Sequence, residues 1–200
     1  MNNYAPTGLY ILVTLIVATI VIVLAYYVYS IFRDAVLLNK VTKPDERPKI
    51  IARIEKEVEE SLKKKNMRRY RNRVVLLCKS YYQILRTKGL DEIERMSYIK
   101  RLLASSEQAA NLLDAKDSPD FYQEMLLWSY TALGFLDPQR PDIQLIQQAF
   151  RTLTVGLQNL DAVEMRSRHW DILDRTADVV FDLGIISKDT KYFKETIKLL

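Results

Sequence analysis

The sequence predicts an all-α protein: one N-terminal transmembrane helix followed by a helical bundle or irregular α-solenoid of about seven helices. Three observations predict it. Gly8–Phe32 holds 25 residues without a formal charge. Beyond it, apolar residues recur at spacings of three and four, the period of an amphipathic helix. Gly and Pro are scarce, 5 and 6 in 200 residues, which leaves too few turn residues for a strand-rich fold.

The apolar stretch comes first. At about 1.5 Å rise per residue it reaches roughly 37 Å, enough to cross a hydrocarbon core of about 30 Å with some tilt. Its β-branched residues run all the way round, interrupted only by Thr14 and Thr19. An uncharged start, a long apolar run and no small-x-small site after it argue against a cleaved signal peptide. The leader 1–7 has no Lys or Arg, whereas the other flank carries Arg33, Lys40, Lys43, Arg47 and Lys49. Positive flanks stay on the cytoplasmic side, so the expectation is N-terminus outside and residues 33–200 inside, at an inner or plasma membrane. Tyr10 marks one membrane interface. Tyr26, Tyr27, Tyr29 and then Arg33 mark the other. Thr14, Ala18 and Ala25 share a small-residue face. No ionisable residue lies in the span, so no proton relay or voltage sensor is implied.

Residues 33–49, with Pro44 and Pro48 in a charged run, read as a juxtamembrane basic and proline-containing linker. Residues 50–200 read as one cytoplasmic helical domain. Its charge is asymmetric. Residues 33–88 hold 17 Lys/Arg against 7 Asp/Glu, whereas residues 89–200 hold 13 against 18. The positive end therefore faces the anchor. A nucleic-acid-binding domain concentrates positive charge on its globular part instead, so nucleic acid is an unlikely partner.

Ile50–Lys65 is a charged helix with Ile50, Ile54, Val58 and Leu62 as a narrow apolar stripe, and Glu59–Lys63 and Glu60–Lys64 at ion-pair spacing. Lys63–Arg73 then carries 7 basic residues in 11: Lys63, Lys64, Lys65, Arg68, Arg69, Arg71 and Arg73. Three readings compete: a solvated helix junction, a contact with anionic lipid headgroups, or a docking site for an acidic protein or nucleic acid. Only Tyr70 interleaves the cluster, which makes nucleic acid the weakest of these. Val74–Lys88 is apolar on most sides and reads as a central helix, with Cys78 as a small buried hydrophobe and Gly89 as its stop.

Asp91 with Glu94 forms a capping-box start, followed by Ile93, Met96, Ile99, Leu102, Leu103, Ala109, Ala110 and Leu113 facing inward. Ser118 and Pro119 open the next helix, with Phe121, Met125, Trp128, Ala132 and Phe135 inward. After the turn Asp137–Pro141 comes a helix carrying Ile143, Ile146, Phe150, Leu153, Leu157 and Leu160. Asp161 with Glu164 opens a helix whose core stripe is Trp170, Leu173, Ala177, Val180 and Leu183, stopping at Gly184. Asp189 caps a last helix with Phe193, Ile197 and Leu200. Predicted starts near 66, 91, 119, 142, 162 and 189 put successive helix pairs 53, 43 and 47 residues apart. Tetratricopeptide repeats need about 34.

Chemistry is sparse. Phosphate-loop, dinucleotide and nucleophile-elbow patterns are absent. One Cys and one His leave little for a zinc, haem or iron–sulfur site, and no cofactor or metal is expected. His169 has no metal-ligand context and reads as a packed residue. A Cys78–His169 pair is disfavoured by the apolar run around Cys78. Asp171, Asp174, Asp178 and Asp182 line one helix face, which reads as a solvated acidic face or as a site for a metal or a basic partner.

The expected function is a membrane-tethered, non-enzymatic scaffold or adaptor subunit whose helical domain docks other proteins of a larger membrane assembly. Membrane lipid is a second expected partner. Head-to-tail self-association through the charge gradient is a third. Two alternatives stand beside it: a small-molecule sensor or enzyme with a pocket between helices, and an anionic-lipid or nucleic-acid module using Lys63–Arg73.

Overall fold

The computed structural model describes the backbone of residues 5–160 and 166–199. These residues form eight helices: α1 (Ala5–Lys40), α2 (Arg47–Lys63), α3 (Met67–Leu85), α4 (Glu92–Leu112), α5 (Pro119–Leu133), α6 (Ile143–Asn159), α7 (Arg166–Ser187) and α8 (Thr190–Leu199). No strand occurs among the described residues. The all-α class with an N-terminal apolar helix holds. The segment from Tyr10 to Lys40 is long and apolar enough to cross a membrane, and none of its most apolar window is buried by protein. Thr14 and Thr19 donate their hydroxyls to the carbonyls of Tyr10 and Leu15, both at 2.8 Å, so neither leaves an unpaired polar group in an apolar stretch.

Each helix packs on the next. In addition α1 packs on α3, α3 on α5, α4 on α6 and α5 on α7. Several side-chain pairs two helices apart share a similar sequence separation of 46 to 48, while Asp34–Arg73 at 39 and Glu107–Gln148 at 41 are closer. Arg47 meets Glu94 and Arg101 meets Glu55, 47 and 46 residues apart. Arg71 meets Ser118 at 47. Arg168, Gln123 and Tyr130 meet Asp120, Asp171 and Asp178, all at 48. In α2 with α4, and in α5 with α7, the paired residues advance together along both helices, so these helices run parallel. Among the described residues each helix touches only helices one or two places along, which is the geometry of an α-solenoid rather than of a closed bundle. One continuous apolar core runs through the stack from Val41 to Leu183.

The linker expected at 33–49 is much shorter than its composition suggests. α1 continues without a break to Lys40, and α2 begins at Arg47 with a proline in its first turn, where a missing N–H costs nothing. Leu37 and Leu38 pack on the core and Val41 is fully buried. The end of α1 is therefore the first helix of the solenoid, and only residues 41–46 form a turn. Other boundaries move for physical reasons. α3 ends at Leu85, and Gly89 sits in the following turn at φ +86°, a conformation that suits glycine. α7 runs past Gly184, because Phe193 of α8 packs against the bare Cα there. Ser118 precedes α5 as expected but makes no cap bond; its hydroxyl donates to Asp117 and accepts from Arg71. Asp91, Asp142 and Asp189 do accept from backbone N–H groups of the turn that follows each. The expected Asp161–Glu164 capping pair lies outside the described residues.

Candidate functional site

Two regions bear on function: the junction of α1 with the solenoid, and the face shared by α3, α5 and α7. At the junction, Tyr10, Tyr26, Tyr27 and Tyr29 are all exposed on α1. Tyr10 and Tyr29 stand about 28 Å apart along the helix, close to one hydrocarbon thickness. Arg33 pairs with the adjacent Asp34 at 3.2 Å. Asp34 then also takes Arg73 of α3 at 3.2 Å, and Arg73 reaches Glu57 of α2 at 3.5 Å. One guanidinium thus ties α1, α2 and α3 together. Arg73 falls on the apolar stripe of α3, beside Tyr70, Val74 and Leu77, and is buried. Fork-shaped Arg suits such a site, because its spread donors serve two carboxylates at once. At the far end of α2, Arg47 is buried as well. It donates to the carbonyls of Val41 and Thr42 and pairs with Glu94 at 2.8 Å, which staples the α1–α2 turn to α4.

The expected basic patch therefore divides. Lys63, Lys64, Lys65, Arg68 and Arg69 are exposed around the α2–α3 turn. Arg71 and Arg73 do not belong to a docking surface: Arg71 is half-buried against Ser118, and Arg73 is the clamp. The Glu59–Lys63 and Glu60–Lys64 ion pairs do not form among the described residues. Arg53–Glu57 at 3.2 Å forms instead.

The second region is aromatic and acidic. Tyr82 of α3 stacks edge-on against Trp128 of α5 and against Phe135 beyond it, both at 5.6 Å. Arg175 of α7 lies over the Tyr130 ring at 5.0 Å, and the Tyr130 hydroxyl donates to Asp178 at 3.1 Å. Tyr82, Tyr130, Phe135, Val179 and Asp182 line a hollow of ≈ 400 Å³. Burial and then the Asp178 charge push the Asp182 carboxyl above its ordinary range. Burial and the same Asp178 raise the Tyr130 phenol. Asp171, Asp174, Asp178 and Asp182 are exposed, as an acidic face requires. They do not converge: among the described residues no three His, Cys, Asp or Glu groups come together to hold a metal. Two of them serve α5 instead, Asp171 through Gln123 at 2.7 Å and Asp178 through Tyr130.

Three residues of the expected apolar stripes are not in the core, Ile143 of α6 among them at 39 % exposed. Trp170 is 53 % exposed on α7, where Phe181 and Ile185 are exposed too. Ile93 is 85 % exposed, because it sits on the outer side of the first turn of α4. Cys78 is fully buried in α3, and burial raises its thiol so far that the thiolate is suppressed. No hydrogen bond joins it to His169 among the described residues. Sequence reading missed Asp34, Glu57, Tyr82 and Tyr130. A charge on the apolar stripe of α3 was the available signal for the first two, since a buried Arg there demands carboxylate partners. A scan against protein-family models and searches of curated proteins and of solved structures found no match to this chain.

Proposed function

We propose that this protein is a membrane-tethered scaffold subunit. α1 spans the bilayer with its N-terminus outside, and the solenoid lies in the cytoplasm. There it docks a basic segment of another membrane-associated protein on the α3–α5–α7 face. The supporting observation is that α1 enters the solenoid as its first helix, tied by Arg73 to α2 and α3, so the domain is held at a set angle to the membrane. A flexible tether does not need such a clamp. Charge selects the occupant: Asp182 lies with the half-buried rings of Tyr82, Tyr130 and Phe135, and Asp174 is exposed on the same helix, a surface complementary to Lys or Arg side chains that stack as well as pair. Holding the domain in the membrane plane raises its effective concentration toward such a partner.

The test is extraction in mild detergent followed by co-purification. The full chain is expected to run with a partner, and Asp174→Lys combined with Asp182→Lys is expected to release it. A chain that elutes as a lone monomer overturns the scaffold reading. Cleavage of the solenoid by protease added outside intact cells overturns the orientation. The hollow at Tyr130 and Asp182 favours a second reading, a small cationic ligand held between helices. In that case Asp182→Asn removes a ligand-induced rise in melting temperature while leaving co-purification intact.

A further inference from the structure

The sequence places a basic cluster next to the anchor in the chain, and the fold determines where it lies in space. α1 and α2 are antiparallel: Arg47 at the start of α2 meets Val41 and Thr42, while Glu57, further along α2, meets Asp34 through Arg73. α2 therefore runs back along α1 toward the apolar span. Lys63 lies six residues beyond Glu57, about 9 Å further in that direction. α3 then doubles back, and Met67 likewise precedes Arg73 by about 9 Å of helix. Measured back from Asp34, the same rise reaches Val28, in the middle of the Tyr26, Tyr27 and Tyr29 belt. The α2–α3 turn is thus carried from Asp34 toward the aromatic belt on the solenoid side of the span. Lys63, Lys64, Lys65, Arg68 and Arg69 are all exposed there.

The turn is also built at a cost. Asn66 N–H bonds to Ser61 and Lys65 N–H to Leu62, both at 2.9 Å, the pattern that closes a helix with a left-handed residue. That residue is Lys65, at φ +52°, where glycine is the unstrained choice. A lysine kept at the glycine position adds a fifth positive charge to the turn.

We propose that this turn is an anionic-lipid site, with the five side chains meeting phosphate groups of the leaflet on the solenoid side. The inference rests on α1 spanning the membrane but on no protein partner. Lipid is favoured over a protein or nucleic acid because, with α1 across the bilayer, a turn directed toward the Tyr26, Tyr27 and Tyr29 belt is brought to the headgroups, where phosphate surrounds it in the plane. Basic side chains near such a surface are attracted to negative lipid within about one Debye length.

The experiment reconstitutes the full chain in bilayers of phosphatidylcholine with a minor share of phosphatidylglycerol. Spin-labelled versions of each lipid report which one the protein retains. A preference of about fivefold for the anionic label is expected at about 0.1 M salt, falling below about twofold at about 1 M. Neutralising Lys63, Lys64, Lys65, Arg68 and Arg69 to Gln is expected to remove most of that preference. Lys43→Gln with Lys49→Gln, in and just after the turn at the other end of α2, is expected to leave it unchanged. Lys65→Gly keeps the fold testable: it raises the melting temperature by relieving the left-handed lysine while lowering the preference.

Equal retention of the two labels by the wild type overturns the proposal, as does an unchanged preference in the neutralised variant at full helix content. So does loss of a co-purifying acidic protein with lipid preference intact, which assigns the turn to a protein. Release of the chain by alkaline carbonate overturns the membrane reading itself, and so distinguishes the two failures.

Discussion

α3 and α7 occupy equivalent places in the solenoid, two steps apart on the same side, yet they treat charge in opposite ways. α3 draws Arg73 into its apolar stripe and satisfies it with Asp34 and Glu57. α7 keeps Asp171, Asp174, Asp178 and Asp182 in solvent and leaves Trp170, Phe181 and Ile185 exposed. The difference follows from what each must join. α3 receives a helix arriving from an apolar span, and a buried ion pair accepts only one arrangement of its partners. Such pairs add specificity of placement more reliably than stability. Among the described residues α7 receives only α8, which packs on it through Phe193 without a buried charge, and its acidic row stays in solvent.

Three substitutions test this contrast. The largest effect is expected for Arg73→Ala, which leaves Asp34 and Glu57 facing each other across a gap. Removing one partner of a buried pair costs about 3 kcal/mol. Thermal or denaturant unfolding of the full chain in detergent measures it, and a loss below about 1 kcal/mol would show that the clamp is ornamental and the contrast false. The second is Gly156→Ala on α6, where a new Cβ collides with the side chain of Leu126 on α5. Overpacking outweighs the gain in helix propensity, for a net loss of about 1–2 kcal/mol. That result would place the difference between the halves at their surfaces, with interiors equally tight. A neutral Gly156→Ala would mean the distal half is loosely packed throughout.

The smallest effect is pH-dependent. The Asp182 carboxyl is raised above its unfolded range, so its protonated form favours folding, and that contribution is lost as pH rises through the raised value. Asp182→Asn is therefore expected to be more stable than wild type at neutral pH. The advantage should vanish below the ordinary carboxylate range, about pH 3. Paired denaturant titrations at the two pH values read it; an equal difference at both would mean that Asp182 is not desolvated.

Helix positions were readable because they rest on local rules. The 3–4 spacing located α4, α5 and α6, and Asp91 and Asp189 acted as caps where expected. The junction was not readable from composition. Pro44 and Pro48 within a charged run resemble a linker, but Pro48 sits in the first turn of α2, where proline is welcome. The clamp was hidden by distance: Asp34 and Arg73 are 39 residues apart, and only the register of α1 against α3 brings them together. Trp170 and Ile93 show the reverse limit. Helical phase assigns a side, but the neighbour that would cover that side is a tertiary fact.

The uninterrupted passage of α1 into the solenoid has a mechanical consequence. α3, α5 and α7 step away from α1 in sequence, each about 10 Å from the last, so α7 sits at the end of an arm about 30 Å long. An arm fixed to its axle turns with it. A rotation of the span by about 20° would carry α7 through about 10 Å, whereas sliding the span along its own axis would hardly move it sideways. If α1 spans a bilayer as proposed, its rotation there would be read out at the acidic face as a lateral displacement.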